Sequence, residues 1–330
     1  MTSPQQIEVL DLRHFNAKRL RPLLDQEAEF WQRRLRWDYR GSTDLLLQYL
    51  DSRILPGFVA LDRGRICGYT FCVYEGHKSV IGDLYASTDH PAPLAVCHTL
   101  ARHLLETLEA SPDIDRVEAQ LLLFDAGTLT PIFQNLYPYS PAFTVFPRLF
   151  LEYTIPPGQR AIDLPRDLEI CPWNSNFYQP SAELIHGAYA GHVDSTINDQ
   201  YRSLAGSLRF LHNIVRFPGC GIFDPQSSWF LRHRATNTLA AIILCSRVAP
   251  DIAHVTQLCV APAYRGRGLG GLMLDFCMRY LPTRRYRALT LTVSEANTAA
   301  LRLYTAAGFT TRHRFDALVL DKKPHRLRLV

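Results

Sequence analysis

The chain has 330 residues, 47% of them hydrophobic, and a formal net charge of +5. That length suits two domains of about 150 residues better than one core, and so mild a charge excludes neither an anionic cofactor nor a nucleic-acid contact. The eight cysteines form no C-x-x-C pair and read as reduced core residues; with neither a signal-type segment nor an 18-residue apolar span, a soluble cytoplasmic protein without membrane contact is expected.

In chain order, residues 57–61 and 66–74 alternate as two strands of a hairpin about Arg63-Gly64, and 80–86 follows as a third strand. A turn at 87–93 leads to a helical pattern over 94–108, a strand at 117–124, a short helical piece at 133–137 and an apolar strand at 146–153. Residues 156–166 contain linker chemistry, separating a domain at 1–155 from one at 167–330. The second half opens with a strand at 168–173 and helical periodicity at 180–189 and 198–215. Strands at 229–234 and 239–248 flank a Thr236-Asn237 turn, and a further strand runs from 254 to 260. Helix, strand 289–293, helix and a last strand starting at Phe309 complete a plan that the first half repeats faintly. In the helix after residue 268, the stripe Leu272, Phe276, Tyr280, with Met273 and Cys277 beside it, is expected to face the core. The basic tail 322–328 reads as a solvated end, which makes nucleic-acid binding the minority expectation.

The turn Val260-Ala-Pro-Ala-Tyr-Arg265-Gly266-Arg267-Gly268-Leu269-Gly270-Gly271 concentrates the chemistry. Glycines let successive backbone N–H groups point inward, and a following helix start adds unpaired donors and a positive dipole end, so an anion, specifically phosphate, is the expected ligand. No acidic residue closes the next strand, as a dinucleotide fingerprint requires, and no Gly-Lys-Ser/Thr ends the turn as in a P-loop. Further on, Asn297 is an N-cap for a helix placing Ala300, Leu301 and Tyr304 on one face, and Gly308 is its left-handed end.

Arg265-x-x-Gly268-x-Gly270 resembles the acetyl-CoA pyrophosphate loop, Q/R-x-x-G-x-G/A, of the GNAT acetyltransferase superfamily. Asn297-x-x-Ala300-x-x-Leu303-Tyr304-x-x-x-Gly308-Phe309 is similar to its second signature. The resemblance implies an α/β (α+β) fold of two GNAT-like domains, each a mixed, mostly antiparallel sheet flanked by helices. The first is a degenerate copy, since its loop Ser87-Thr-Asp-His-Pro-Ala-Pro93 has no glycine or arginine. It implies acetyl-CoA as co-substrate, with Leu258, Cys259 and Val260 along the pantetheine arm. The backbone of Arg265, Gly266, Arg267, Gly268, Leu269 and Gly270 would meet the pyrophosphate, and Asn297 would lie near the arm. Tyr304 stands where the family keeps its general acid, and a phenol of reference pKa near 10 can protonate a departing thiolate.

The remaining roles stay open. His254 shares a strand face with Thr256 and is the candidate base, against a hydrogen-bonded structural histidine. The polar run His192-Val-Asp194-Ser195-Thr196-Ile-Asn198-Asp199-Gln-Tyr201 is either acceptor-binding, through His192, Asp194, Asn198 and Tyr201, or a pair of helix caps. Some ribosomal-protein acetyltransferases of the family place a glutamate where Thr292 stands, which argues against simple transfer of that substrate class. No metal-ligand spacing stands out. The expectation is direct acetyl transfer to an amine by a monomer, with a non-catalytic acyl-CoA-binding protein or a longer acyl donor as alternatives.

Overall fold

The structure, a computed structural model, describes residues 7–135, 143–156 and 164–322. Its first half contains β1 (Glu8–Asp11), α1 (Ala17–Leu35), α2 (Arg40–Asp51), β2 (Gly57–Asp62), β3 (Arg65–Glu75) and β4 (Lys78–Ala86). Then come α3 (Pro93–Ala110), β5 (Arg116–Gln120), α4 (Thr130–Asn135) and β6 (Thr144–Thr154). The second half runs β7 (Leu168–Pro172), α5 (Tyr178–Tyr189), α6 (Asp194–Ile197), α7 (Leu204–Arg216), β8 (Ile222–Phe223), β9 (Trp229–His233) and β10 (Leu239–Ala249). It continues with β11 (Ile252–Val260), α8 (Leu269–Tyr280), β12 (Ala288–Ser294), α9 (Thr298–Ala306) and β13 (Thr310–Asp321).

The sequence patterns assign no element before residue 57, yet β1, α1 and α2 form there. Helix α1 buries Leu20, Leu24, Ala28, Trp31 and Leu35 at helical spacing, but Glu27 lies within that stripe and Pro22 within the helix, and both obscure the period. The strand expected to reach 124 stops at Gln120. The helix expected over 198–215 is split: Asn198 caps a 3-10 turn at Asp199–Arg202, and Ser203 caps α7. Residues 136–137 of the short helical piece, most of the linker (157–163) and the tail beyond 322 lie outside the described residues.

Two compact units result. The first gathers the residues up to 34, 39–147 and those from 315 on; the second gathers 35–38 and 148–314. This grouping cuts differently from a division in chain order at 156–166, because each unit closes its sheet with a strand from the other half. In unit 1 the strand order is β1-β2-β3-β4-β5-β13, and in unit 2 it is β6-β12-β11-β10-β9-β7. Residues Ala317–Asp321 pair antiparallel with Gln120–Arg116, and Arg148–Thr154 pair antiparallel with Ser294–Ala288. Leu318 and Leu320 thereby join the core built on Leu100, Leu104 and Leu108, while Leu149 and Leu151 join the core of Leu289, Leu291 and Met273. Each such leucine contributes about 2 kcal/mol of apolar burial. A sheet edge accepts any strand with the right alternation, so partner choice is invisible in a local pattern.

Each sheet holds one parallel pair, β4 with β5 and β11 with β12. In unit 2 the parallel ladder runs only from Ile252/Ala288 to Val255/Leu291 and ends where β11 shifts register opposite Leu244/Cys245. Beyond it, Leu258–Val260 stay paired to β10 on one side and have parted from β12 on the other. Helix α8 packs through Leu269, Met273, Leu274 and Cys277, one position off the expected stripe. Leu272 and Phe276 are only partly buried, and Tyr280 is 36% exposed against Trp229.

Candidate functional site

A cavity of about 630 Å³ opens in unit 2 where β11 has parted from β12. Leu258, Cys259 and Val260 form one wall, Arg265, Gly266, Gly268, Leu269 and Gly270 the floor, and Asn297 with Ala300 and Leu303 the far side. Ala188–His192, at the end of α5, closes it. Gly266 and Gly268 have φ of 76° and 72°, which glycine adopts without strain, and a Cβ at either would meet nothing within 4 Å. The turn therefore faces open space. Gly268 is the N-cap of α8, and the first intrahelical bond runs from Leu272 N–H to its carbonyl, so the preceding amides are free to face an anion. Asn297 uses its Oδ1 to cap α9 by accepting from Ala300 N–H at 3.1 Å. Gly308 (φ 92°) ends that helix, with Phe309 N–H donating to the Tyr304 carbonyl.

Tyr304 points into the protein, 8% exposed, and its phenol is pushed well above the ordinary range, first by burial and then by the nearby Asp194 and Cys259. It holds its proton at neutral pH and is a donor. Burial likewise pushes the Cys259 thiol up to about 12, so it is neutral and a poor nucleophile. The Asp194 carboxylate accepts from the Ser294 hydroxyl, and its other oxygen lies 3.6 Å from His192 Nδ1. Tyr189, on the cavity wall, stacks on Tyr201 with ring centroids 4.0 Å apart.

Nine of the ten expected cofactor residues and His192 thus surround one cavity. Four other expectations are corrected or narrowed. His254 does not line it: the ring is 4% exposed, lies between Trp37 and Phe150 at 5.0 and 5.8 Å, and bonds the Thr290 hydroxyl through Nδ1 at 2.9 Å. Burial, with Arg148 adding to it, pulls its pKa down to about 3, which makes it a structural histidine and no base. The Arg267 side chain turns away to Asp167 (3.0 Å) and sits over the Tyr264 ring. Asn198 spends its side-chain oxygen on Gln200 N–H as a cap. Tyr201 is a buried stacking partner of Tyr189 and does not itself line the cavity.

Sequence reasoning missed Tyr189, Gly191 and Ser294. A tyrosine followed closely by glycine at a helix end was a local signal for the first two; nothing local signals Ser294, whose partner Asp194 is 100 residues away. In unit 1 the corresponding turn is filled from within. Gln26 on α1 accepts from Thr88 N–H and Tyr85 Oη, both at 3.2 Å, and donates to Asp89 at 2.8 Å.

A strand parted from its parallel neighbour runs into a glycine turn at a helix N-terminus, an arrangement that can receive an anionic ligand. Residues 186–309 match the acetyltransferase (GNAT) family model. Over 81 residues the chain is 37% identical to a mycothiol acetyltransferase of Thermomonospora curvata, which covers 24% of this chain and 27% of that protein. Over 79 residues it is 34% identical to the [ribosomal protein bS18]-alanine N-acetyltransferase of Salmonella typhimurium, covering 24% and 53%. These matches span between about a quarter and a half of the relatives' length. Two solved structures follow nearly the whole chain. A GCN5-related N-acetyltransferase from Sphaerobacter thermophilus has a TM-score of 0.65 at 13% identity over 98% of both chains. A tandem GNAT protein from the clavulanic acid biosynthesis pathway has a TM-score of 0.57 at 14% identity over 97% of this chain and 100% of that one. The family match is confined to residues 186–309, and over nearly its whole length the chain has the fold of these tandem GNAT structures.

Proposed function

We propose that unit 2 transfers an acetyl group from acetyl-CoA to an amine, directly and without a covalent enzyme intermediate. The observation that carries this is the cavity bounded by the parted strand Leu258–Val260, the open turn Gly266–Gly270 and Asn297, with a protonated tyrosine buried nearby. Acetyl-CoA supplies the thioester and the anion that the turn suits. Leu258 and Val260 offer backbone groups to an amide-bearing arm, and the α8 amides hold its phosphates. Asp194, fixed by Ser294 and His192, attracts the ammonium and accepts the proton it must lose before the nitrogen can attack. Tyr304 gives its proton to the sulfur as the C–S bond breaks and regains one from the nitrogen, so one proton is released per turnover. Cys259, neutral beside the reacting centre, stays a bystander.

Calorimetric titration of acetyl-CoA into the wild type and a Gly268→Asp, Gly270→Asp double variant tests this. A Cβ at either position meets nothing closer than 3.6 Å, but Gly268 (φ 72°) strains any L side chain, so the variant's fold is checked by circular dichroism before lost binding is read as charge facing phosphate. One site per chain is expected, with affinity falling more than about tenfold in the variant. No binding to the wild type sinks the reading; binding without thioester consumption over a broad amine panel leaves an acyl-CoA-binding protein.

A further inference from the structure

The acetyl-transfer reading, on which this inference rests, leaves the acceptor unnamed. Strand β6 runs antiparallel to β12 with Arg148 directly opposite Ser294. Directly paired residues project from the same face with Cβ atoms about 5 Å apart. Leu149 and Leu151 fill the opposite face of β6, so Arg148 rises beside the serine whose hydroxyl bonds Asp194. Asp194 lies within electrostatic reach of Tyr304, and Arg148 of Tyr201, which stacks on the cavity-wall Tyr189.

Asp194 therefore bonds Ser294 from one element while Arg148 stands directly opposite Ser294 on another, and both act electrostatically on Tyr201. Glu152, four pairs along β6 on the same face, is held by Arg36 and Arg312 at 2.6 and 3.1 Å, and His254 is neutral. A simple amine needs Asp194 alone. We propose that the acceptor is a small zwitterion of the α-amino acid type, its ammonium at Asp194 and its carboxylate at the half-buried Arg148. The guanidinium has five N–H donors in a planar fork, enough to hold neighbouring protein groups and a ligand carboxylate together. A diamine would bring its second cation against the guanidinium, and a peptide amino terminus would carry its carboxylate too far away.

The test uses the full chain with acetyl-CoA, reading CoA thiol release for the free amino acids, their carboxamides and their decarboxylated amines. The expected result is at least one amino acid with kcat/KM about tenfold or more above its own amide and amine, carried by KM. Arg148→Met should bring that ratio toward one, and Arg148→Lys should restore part of it, while the acetyl-CoA Kd stays at the wild-type value. Amides or plain amines acetylated as well as the acids by the wild type overturn the zwitterion and leave acetyl transfer standing. An Arg148→Met variant that lowers all three classes equally overturns it too. No turnover of any amine, with acetyl-CoA still bound, overturns both.

Discussion

Tyr304 and His254 show how burial decides a residue's role. For a phenol, loss of water favours the protonated state, so Tyr304 remains an acid at any physiological pH. Tyr304→Phe should lower kcat about a hundredfold and leave the acetyl-CoA Kd unchanged, measured by thiol release and calorimetry; unchanged kcat would remove the phenol from the reaction. For an imidazole the same loss favours the neutral state, and the consequence is one of stability. The folded pKa of about 3 lies below the unfolded value near 6.5, so below that pH the unfolded chain takes up a proton the folded one refuses. Stability then falls as pH drops from about 6.5 toward 3, by at most about 1.4 kcal/mol per pH unit from this residue. His254→Gln should flatten that part of the urea-denaturation profile relative to wild type and spare turnover at pH 8. Equal slopes in both proteins would show that His254 is protonated in the folded state.

At the scale of elements, the sequence told most where function and local structure coincide. The β11, turn, α8 and α9 series was legible because glycines with positive φ, an N-cap and a C-cap glycine are demanded by the local backbone geometry of that turn and those helix ends. Long-range choices were not legible. Neither the pairing of β13 with β5 nor the docking of Trp37 on His254 has a local signature, and Ser294 looks like any strand-end serine. Strand β13 is fastened in unit 1 by Arg116 to Asp321 (2.7 Å), by Asp316 accepting from Gly127 N–H (2.7 Å), and by Lys322 donating to the last carbonyls of α3. A chain ending at Arg314 should therefore lose hydrogen-exchange protection across α3, β4 and β5. Amides of β10 and β11, in the other unit, should retain it. Unchanged protection in α3 would show that this strand is dispensable to its sheet.

Across the whole molecule, one strand plan occurs twice, and its two versions have diverged at one place. Both units place their parallel pair in the same position of the order, but only unit 2 keeps an open turn after it. In unit 1 a glutamine from α1 occupies the backbone donor that a phosphate would take, which is why a single cofactor per chain is expected. The exchanged strands also set a schedule for biosynthesis. While a ribosome is still making residues 148–314, the β5 edge has no partner, because the strand that covers it is residues 315–321. Unit 1, although synthesised first, completes its sheet last, and its exposed edge during that interval is where a chaperone would be needed.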